Sequence, residues 1–181
     1  MRSRRILAVG SAAALAMAAF AAVPAQAHTT AHSERLTELN DSGVTGHVTV
    51  LQKHGTVRVN LNVHGLEAAQ VHLSHIHGFV DGEEEAGCPT PDADTDGDGL
   101  VSFAEGVPFY GPAVITLGTD EIGGQTLTYS RTFTQTNSGH PVGMLGPLAD
   151  YAVVVHGASV DGSYNLTLPV ACAELDVAGS G

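Results

Sequence analysis

Asp94, Asp96 and Asp98 place carboxylates at the first, third and fifth positions of a stretch that ends at Glu105. Gly99 stands sixth, where a chain wrapped round an ion must turn sharply. Leu100 offers a carbonyl seventh, Ser102 a hydroxyl or a bound water ninth, and Glu105 a bidentate carboxylate twelfth. Calcium takes roughly six to eight oxygens, and a short loop supplies them only if alternate residues point inward, the EF-hand ligand pattern. Counting from Asp92 puts Phe103 in the twelfth position, so that register fails. Clustered carboxylates repel one another without a cation; the competing reading is a solvated acidic turn. Pro89 and Pro91 precede the loop, and Gly106 and Pro108 follow it, which argues against a full helix on either side. The expectation is a lone structural calcium site, not a sensor.

Histidine is the second chemical signal: ten occur beside a single lysine. His75 and His77 are two apart, so on a strand they share a face and two imidazoles can converge on one ion. His156 ends the apolar run Tyr151 to Val155 and supplies a third nitrogen if the two strands adjoin. Three imidazoles suit copper or zinc. The competing reading is a pair of surface histidines beside a turn. Strict alternation puts Val71 and Leu73 on the face of His75 and His77, a conflict that a bulge or strong twist would resolve. His47, His54 and His64 fall on polar strand faces or turns and read as solvated.

These residues need a β scaffold. In 56–64, Val57, Val59, Leu61 and Val63 alternate with Arg58, Asn60, Asn62 and His64, a strand with one buried face. Further short strands are expected over 47–52, 70–77, 113–117, 127–134, 151–156 and 164–168, with Gly, Pro, Asn and Asp between them. The pattern predicts an all-β, Greek-key β-sandwich with a long calcium-binding loop inserted. The insertion, 81–112, holds nine of the 19 acidic residues, and a loop of that size in a compact domain is usually functional. Residues 28–45 read as a flexible N-terminal segment before the sandwich of 46–181.

Arg2, Arg4 and Arg5, the apolar run 6–23 and Ala25-Gln26-Ala27 form an expected secretory signal peptide, 1–27, cleaved after Ala27. Cleavage leaves His28 first, whose amine and imidazole offer a further, weaker copper chelate. No later stretch is long and apolar enough to span a membrane. Without the leader, 19 acids face only Arg35, Lys53, Arg58 and Arg131, a formal charge of −15. That balance excludes nucleic acid as a partner, disfavours anionic substrates and favours metal ions. Cys88 and Cys172 in an exported chain predict one disulfide.

The run His72-Leu73-Ser74-His75-Ile76-His77, followed by Gly87-Cys88, resembles the H-x-x-H-x-H…G-C stretch of copper/zinc superoxide dismutases. Val153 to Gly157 resembles the strand that delivers another copper histidine, Leu168 to Cys172 the segment that holds the partner cysteine, and Gly65-Leu66 the pair before the copper strand. The resemblance implies copper on His75, His77 and His156, a Cys88–Cys172 bridge and a superoxide dismutase-like sandwich. His75-Ile76-His77-Gly78 and Tyr151…His156 also resemble the CHRD (chordin-type) domains of secreted proteins. Two departures bear on activity. No histidine stands between His77 and His140, so the zinc ligands are missing, and Pro169 occupies the place of the catalytic arginine. The sequence therefore leaves two readings: a calcium-binding, dismutase-like copper protein, or a non-catalytic CHRD-like module stabilised by calcium.

Overall fold

The alternation in 56–64 does what it requires. Val57, Val59, Leu61 and Val63 are at most 2% exposed, while Arg58 and His64 face water. Burying each such side chain contributes about 1.5–3 kcal/mol. The computed structural model describes residues 29–53, 55–79, 84–118, 124–135, 142 and 145–176. The expected leader, His28 and His54 lie outside the described residues.

Among the described residues eight strands, all paired antiparallel, form two layers. β1 (Thr30–Glu38), β2 (Thr45–Lys53), β3 (Thr56–His64) and β6 (Thr126–Phe133) lie in the order β1-β2-β3-β6. β4 (Leu73–Gly78), β5 (Ala113–Gly118), β7 (Tyr151–Val160) and β8 (Ser163–Glu174) lie in the order β5-β4-β7-β8. The layers join where Thr37 and Glu38 of β1 meet Cys172 and Ala171 of β8. The expected all-β sandwich is present, and the inward side chains of both layers share one core that includes Leu36, Val48, Val59, Ile76, Val153 and Val170.

The N-terminal segment is a correction. Residues 28–45 were expected to be flexible, yet Thr30–Glu38 is a strand paired along β2 from Thr30↔Gln52 to Leu36↔Gly46. Its outward residues are polar, which hides the strand in the sequence. Leu36 is fully buried, and the buried His32 donates or accepts at Nδ1 against the Asp176 carbonyl at 2.7 Å; since a carbonyl only accepts, Nδ1 donates.

A second, smaller apolar cluster lies on the outer face of β7 and β8: Ala86, Tyr110, Ala152, Val154 and Cys172. It is covered by the acidic excursion. With both faces covered, β7 is buried from Tyr151 to Gly157, and this explains the unbroken apolar run in its sequence. The excursion is tied to β8 by the disulfide Cys88–Cys172, with Cα atoms 5.8 Å apart.

The excursion also contains a helix that the flanking prolines and glycines argued against. α1 (Phe103–Tyr110) begins at Ser102, and a reciprocal bond closes its first turn: Glu105 N donates to Ser102 Oγ while Glu105 Oε2 accepts from Ser102 N at 2.9 Å. This capping box satisfies two orphan donors. Pro108 removes one backbone bond from a helix of two turns, and the cap and the burial of Tyr110 offset that loss. The spacing Ser102-x-x-Glu105 was the available sequence signal for this start.

Candidate metal centre

His75 and His77 project from β4 onto its outer face, and Ile76 between them enters the core. β7 lies beside β4 in the register Leu73↔His156, so the third imidazole reaches the same face. The three ring centroids form a nearly equilateral triangle, 5.4 Å (His75–His77), 5.4 Å (His75–His156) and 5.5 Å (His77–His156) on a side. One nitrogen from each lies within 4.8 Å of the others.

Backbone irregularities accompany all three positions. The β4–β5 pairing shifts register between Ser74 and His75 and again between Ile76 and His77; the β7–β8 pairing shifts on both sides of His156. Bulges re-aim side chains in this way. Of the two apolar residues expected to conflict with the histidines, Val71 precedes β4 and Leu73 remains on their face. It is half-buried there and lines a cleft together with Phe103 of α1.

Hydrogen bonds decide which nitrogens are free. His77 Nδ1 bonds the Gly111 carbonyl at 2.9 Å, and His156 Nδ1 bonds the Thr167 carbonyl at 3.0 Å. Carbonyls only accept, so both Nδ1 atoms carry the proton and both Nε2 atoms present lone pairs. Those two Nε2 atoms face each other at 3.3 Å. Two lone pairs at that distance repel unless a proton or a metal lies between them. His75 Nδ1 is buried without a partner. A nitrogen on each side of a metal at about 2.0 Å, subtending a tetrahedral angle, would sit about 3.3 Å from its neighbour.

Electrostatics keep the rings neutral. Burial pushes His77 down to about 4, with the His75 charge adding to it. Burial pushes His156 down to about 3, and the neighbouring His77 and His75 lower it further. Burial lowers His75 as well. Metal ligation requires the neutral form, so the site is ready for an ion near neutral pH.

α1 supplies the roof. The Tyr110 ring lies 4.6 Å from His77, and Phe103 lies 6.1 Å from His156. Gly106 makes this possible, because a Cβ there would overlap the Tyr110 ring. Gly111 ends the helix at φ 75°, and a Cβ there would come within 2.7 Å of the Gly78 backbone. That close approach to β4 brings the Gly111 carbonyl onto His77. Phe103, Tyr110 and the Gly111 and Thr167 carbonyls carried no sequence signal as site components, since their roles depend on where the helix lands.

The acidic loop is the second grouping. Carboxylate oxygens of Asp94, Asp96 and Asp98 also lie within 4.8 Å of one another. Asp94 accepts from Gly97 N and Gly99 N, each at 2.8 Å, which folds the loop round that side chain. Glu105 is outside this mutual grouping but beside it: Oε1 accepts from Thr95 N at 2.7 Å and Asp96 N at 3.3 Å, and Oε2 serves the helix cap. These bonds hold the Glu105 carboxyl down to about 2, the Ser102 backbone bond first among them. Ser102 Oγ bonds the same carboxylate at 2.8 Å, and Leu100 is half-buried. Asn40, from the β1–β2 turn, bonds Val101 N at 2.7 Å, Val101 O at 3.0 Å and Pro169 O at 2.9 Å. Pro169 pairs with His156, so one side chain links the acidic loop to the strand beside the histidines.

The other described histidines play other parts. His72 is buried and bonds the Glu67 carbonyl at 2.9 Å. His47 and His64 are exposed, as expected. Among the described residues no helix is long and apolar enough to cross a membrane. No protein-family model matches this chain, and the search of curated proteins found no match.

Proposed function

We propose that this chain is an extracellular metalloprotein of superoxide dismutase-like design that binds copper through His75, His77 and His156 and calcium through the 94–105 loop. One observation carries the copper reading: two Nε2 lone pairs held face to face at 3.3 Å by backbone bonds on the opposite nitrogens. The buried, unpartnered His75 Nδ1 supports it. Three neutral imidazoles without a thiolate or carboxylate suit copper or zinc.

Bound copper would supply one-electron chemistry at an open coordination position. The chain's own contribution is separate. The Gly111 and Thr167 carbonyls fix the tautomers, and such outer bonds orient ligands and raise their basicity. Tyr110, fully buried, excludes water from the His77 side. The calcium loop ends in the cap of the helix that carries both rings, so an ion there would hold the roof in place.

Dismutation has less support. Pro169 is buried beside His156, and no lysine or arginine lines the cleft at the histidines, so no cation waits for an anionic substrate. A non-catalytic, CHRD-like binding module therefore stands as the second reading.

Titration calorimetry with copper is the test. Saturable uptake of one equivalent is expected, abolished in His77→Gln and His156→Gln variants that keep their β circular dichroism. Uptake unaffected by both substitutions ends the proposal. In the same preparations CaCl₂ raises the melting temperature of the parent and leaves Asp94→Ala unchanged. A xanthine-oxidase-coupled assay separates the two functional readings, since a rate no better than free copper leaves the binding module.

A further inference from the structure

A small cleft opens onto the histidines. It holds about 30 Å³ and is lined by Leu73, His75, Phe103, His156 and Thr167. His77 is absent from the lining; it is fully buried, with the Tyr110 ring against it. An ion held by the three imidazoles would therefore meet outside molecules on the His75–His156 side.

Phe103 stands at that mouth. It is 41% exposed, so burial does not account for its position. It is the first residue of α1, inside the Ser102–Glu105 capping box, and its backbone has little freedom. Its ring lies 6.1 Å from His156 and 6.5 Å from Tyr110. Leu73 contributes to the lining from β4. Leu73, Phe103 and Thr167 are uncharged, so the lining offers an incoming ligand no ion pair.

Resting on the copper reading above, we infer that Phe103 is a size gate that narrows the approach to the open position of the centre and favours small ligands over bulky ones, uncharged ones such as dioxygen or carbon monoxide fitting its lining best. Phe103 is a specificity-determining residue in this account. It touches no metal and holds no ligand in place; it removes the space that a larger molecule needs.

Two uncharged copper(I) ligands that differ in bulk make the test. The full chain is loaded with copper(I), and carbon monoxide and tert-butyl isocyanide are titrated against it, read by their infrared stretches. Carbon monoxide is expected to bind the parent and Phe103→Ala equally. tert-Butyl isocyanide is expected to bind Phe103→Ala at least about tenfold more tightly than the parent, the order of discrimination a pocket wall supplies. Phe103→Leu, which keeps an apolar side chain of shorter reach, gives an intermediate gain and serves if the alanine variant does not fold. Equal isocyanide affinity in parent and variants overturns the gate. Failure of carbon monoxide to bind the loaded parent overturns it as well. Failure to take up copper at all is seen before either ligand is added, and removes the metal centre itself.

Discussion

Replacing both Cys88 and Cys172 by alanine tests how the acidic excursion is held. The bridge joins residues 84 apart in sequence. In the chain-entropy treatment, opening a loop of that length frees the unfolded chain by about 15 cal/mol/K, which is about 4–5 kcal/mol at room temperature. A domain of about 150 residues unfolds with an entropy of roughly 0.3 kcal/mol/K, so the melting temperature should fall by about 14 °C. Alanine is chosen because Cys172 is fully buried, and a serine there would bury an unpaired hydroxyl. The local consequence is as informative. Cys172 and Tyr110 belong to the same outer cluster, and Tyr110 covers His77. Loss of the bridge should therefore loosen the roof and weaken copper binding along with stability. Differential scanning calorimetry and copper titration on the same double variant read both. A melting temperature within about 4 °C of the parent would refute the loop-entropy argument, because the predicted loss is several times that. Unchanged copper affinity at a lowered melting temperature would refute the coupling to the roof alone.

Three further outcomes follow from the same geometry. Metal-free protein should lose stability as pH falls from about 6.5 to 5, on the order of 1–2 kcal/mol for each deeply buried histidine. The sign follows from folded values of about 4 for His77 and about 3 for His156: the unfolded chain takes up protons first, so acid favours unfolding. Urea unfolding at the two pH values measures it, and a His77→Gln slope as steep as the parent's contradicts it. Gly106→Ala should destabilise by about 1–3 kcal/mol although alanine favours helix, because the new methyl meets the Tyr110 ring; a stabilised variant in thermal melts would show that the ring moves freely. Asn40→Ala removes three bonds to Val101 and Pro169 and leaves alanine at φ 59°, so a loss of about 2–4 kcal/mol is expected by chemical denaturation. A loss below about 1 kcal/mol would remove Asn40 as the link between the loop and β8.

Much of this was legible in the residues. Seven of the eight strands follow from apolar alternation or runs, because a pleated strand exposes its periodicity directly. The pairing of Cys88 with Cys172 was expected from export and count, and His75 and His77 share a face because period two is a local property. β1 escaped because its outward face is polar and only Leu36 marks its buried side. α1 escaped because prolines and glycines are read as breakers, while the cap that outweighs them is a side-chain bond.

By itself, then, the order of residues determined the β class, the acidic loop with its ligand spacing, the bridge and two of the three converging histidines. Tertiary structure decided the rest: that β7 lies beside β4 and brings His156 to them, that Gly111 and Thr167 turn their carbonyls onto ring nitrogens, and that α1 folds over the site. The division has a physical cause. Periodicity and charge act between neighbours in sequence, whereas a lone pair's direction is set by partners 34 residues away for His77, and only the packed chain brings those partners within bonding distance.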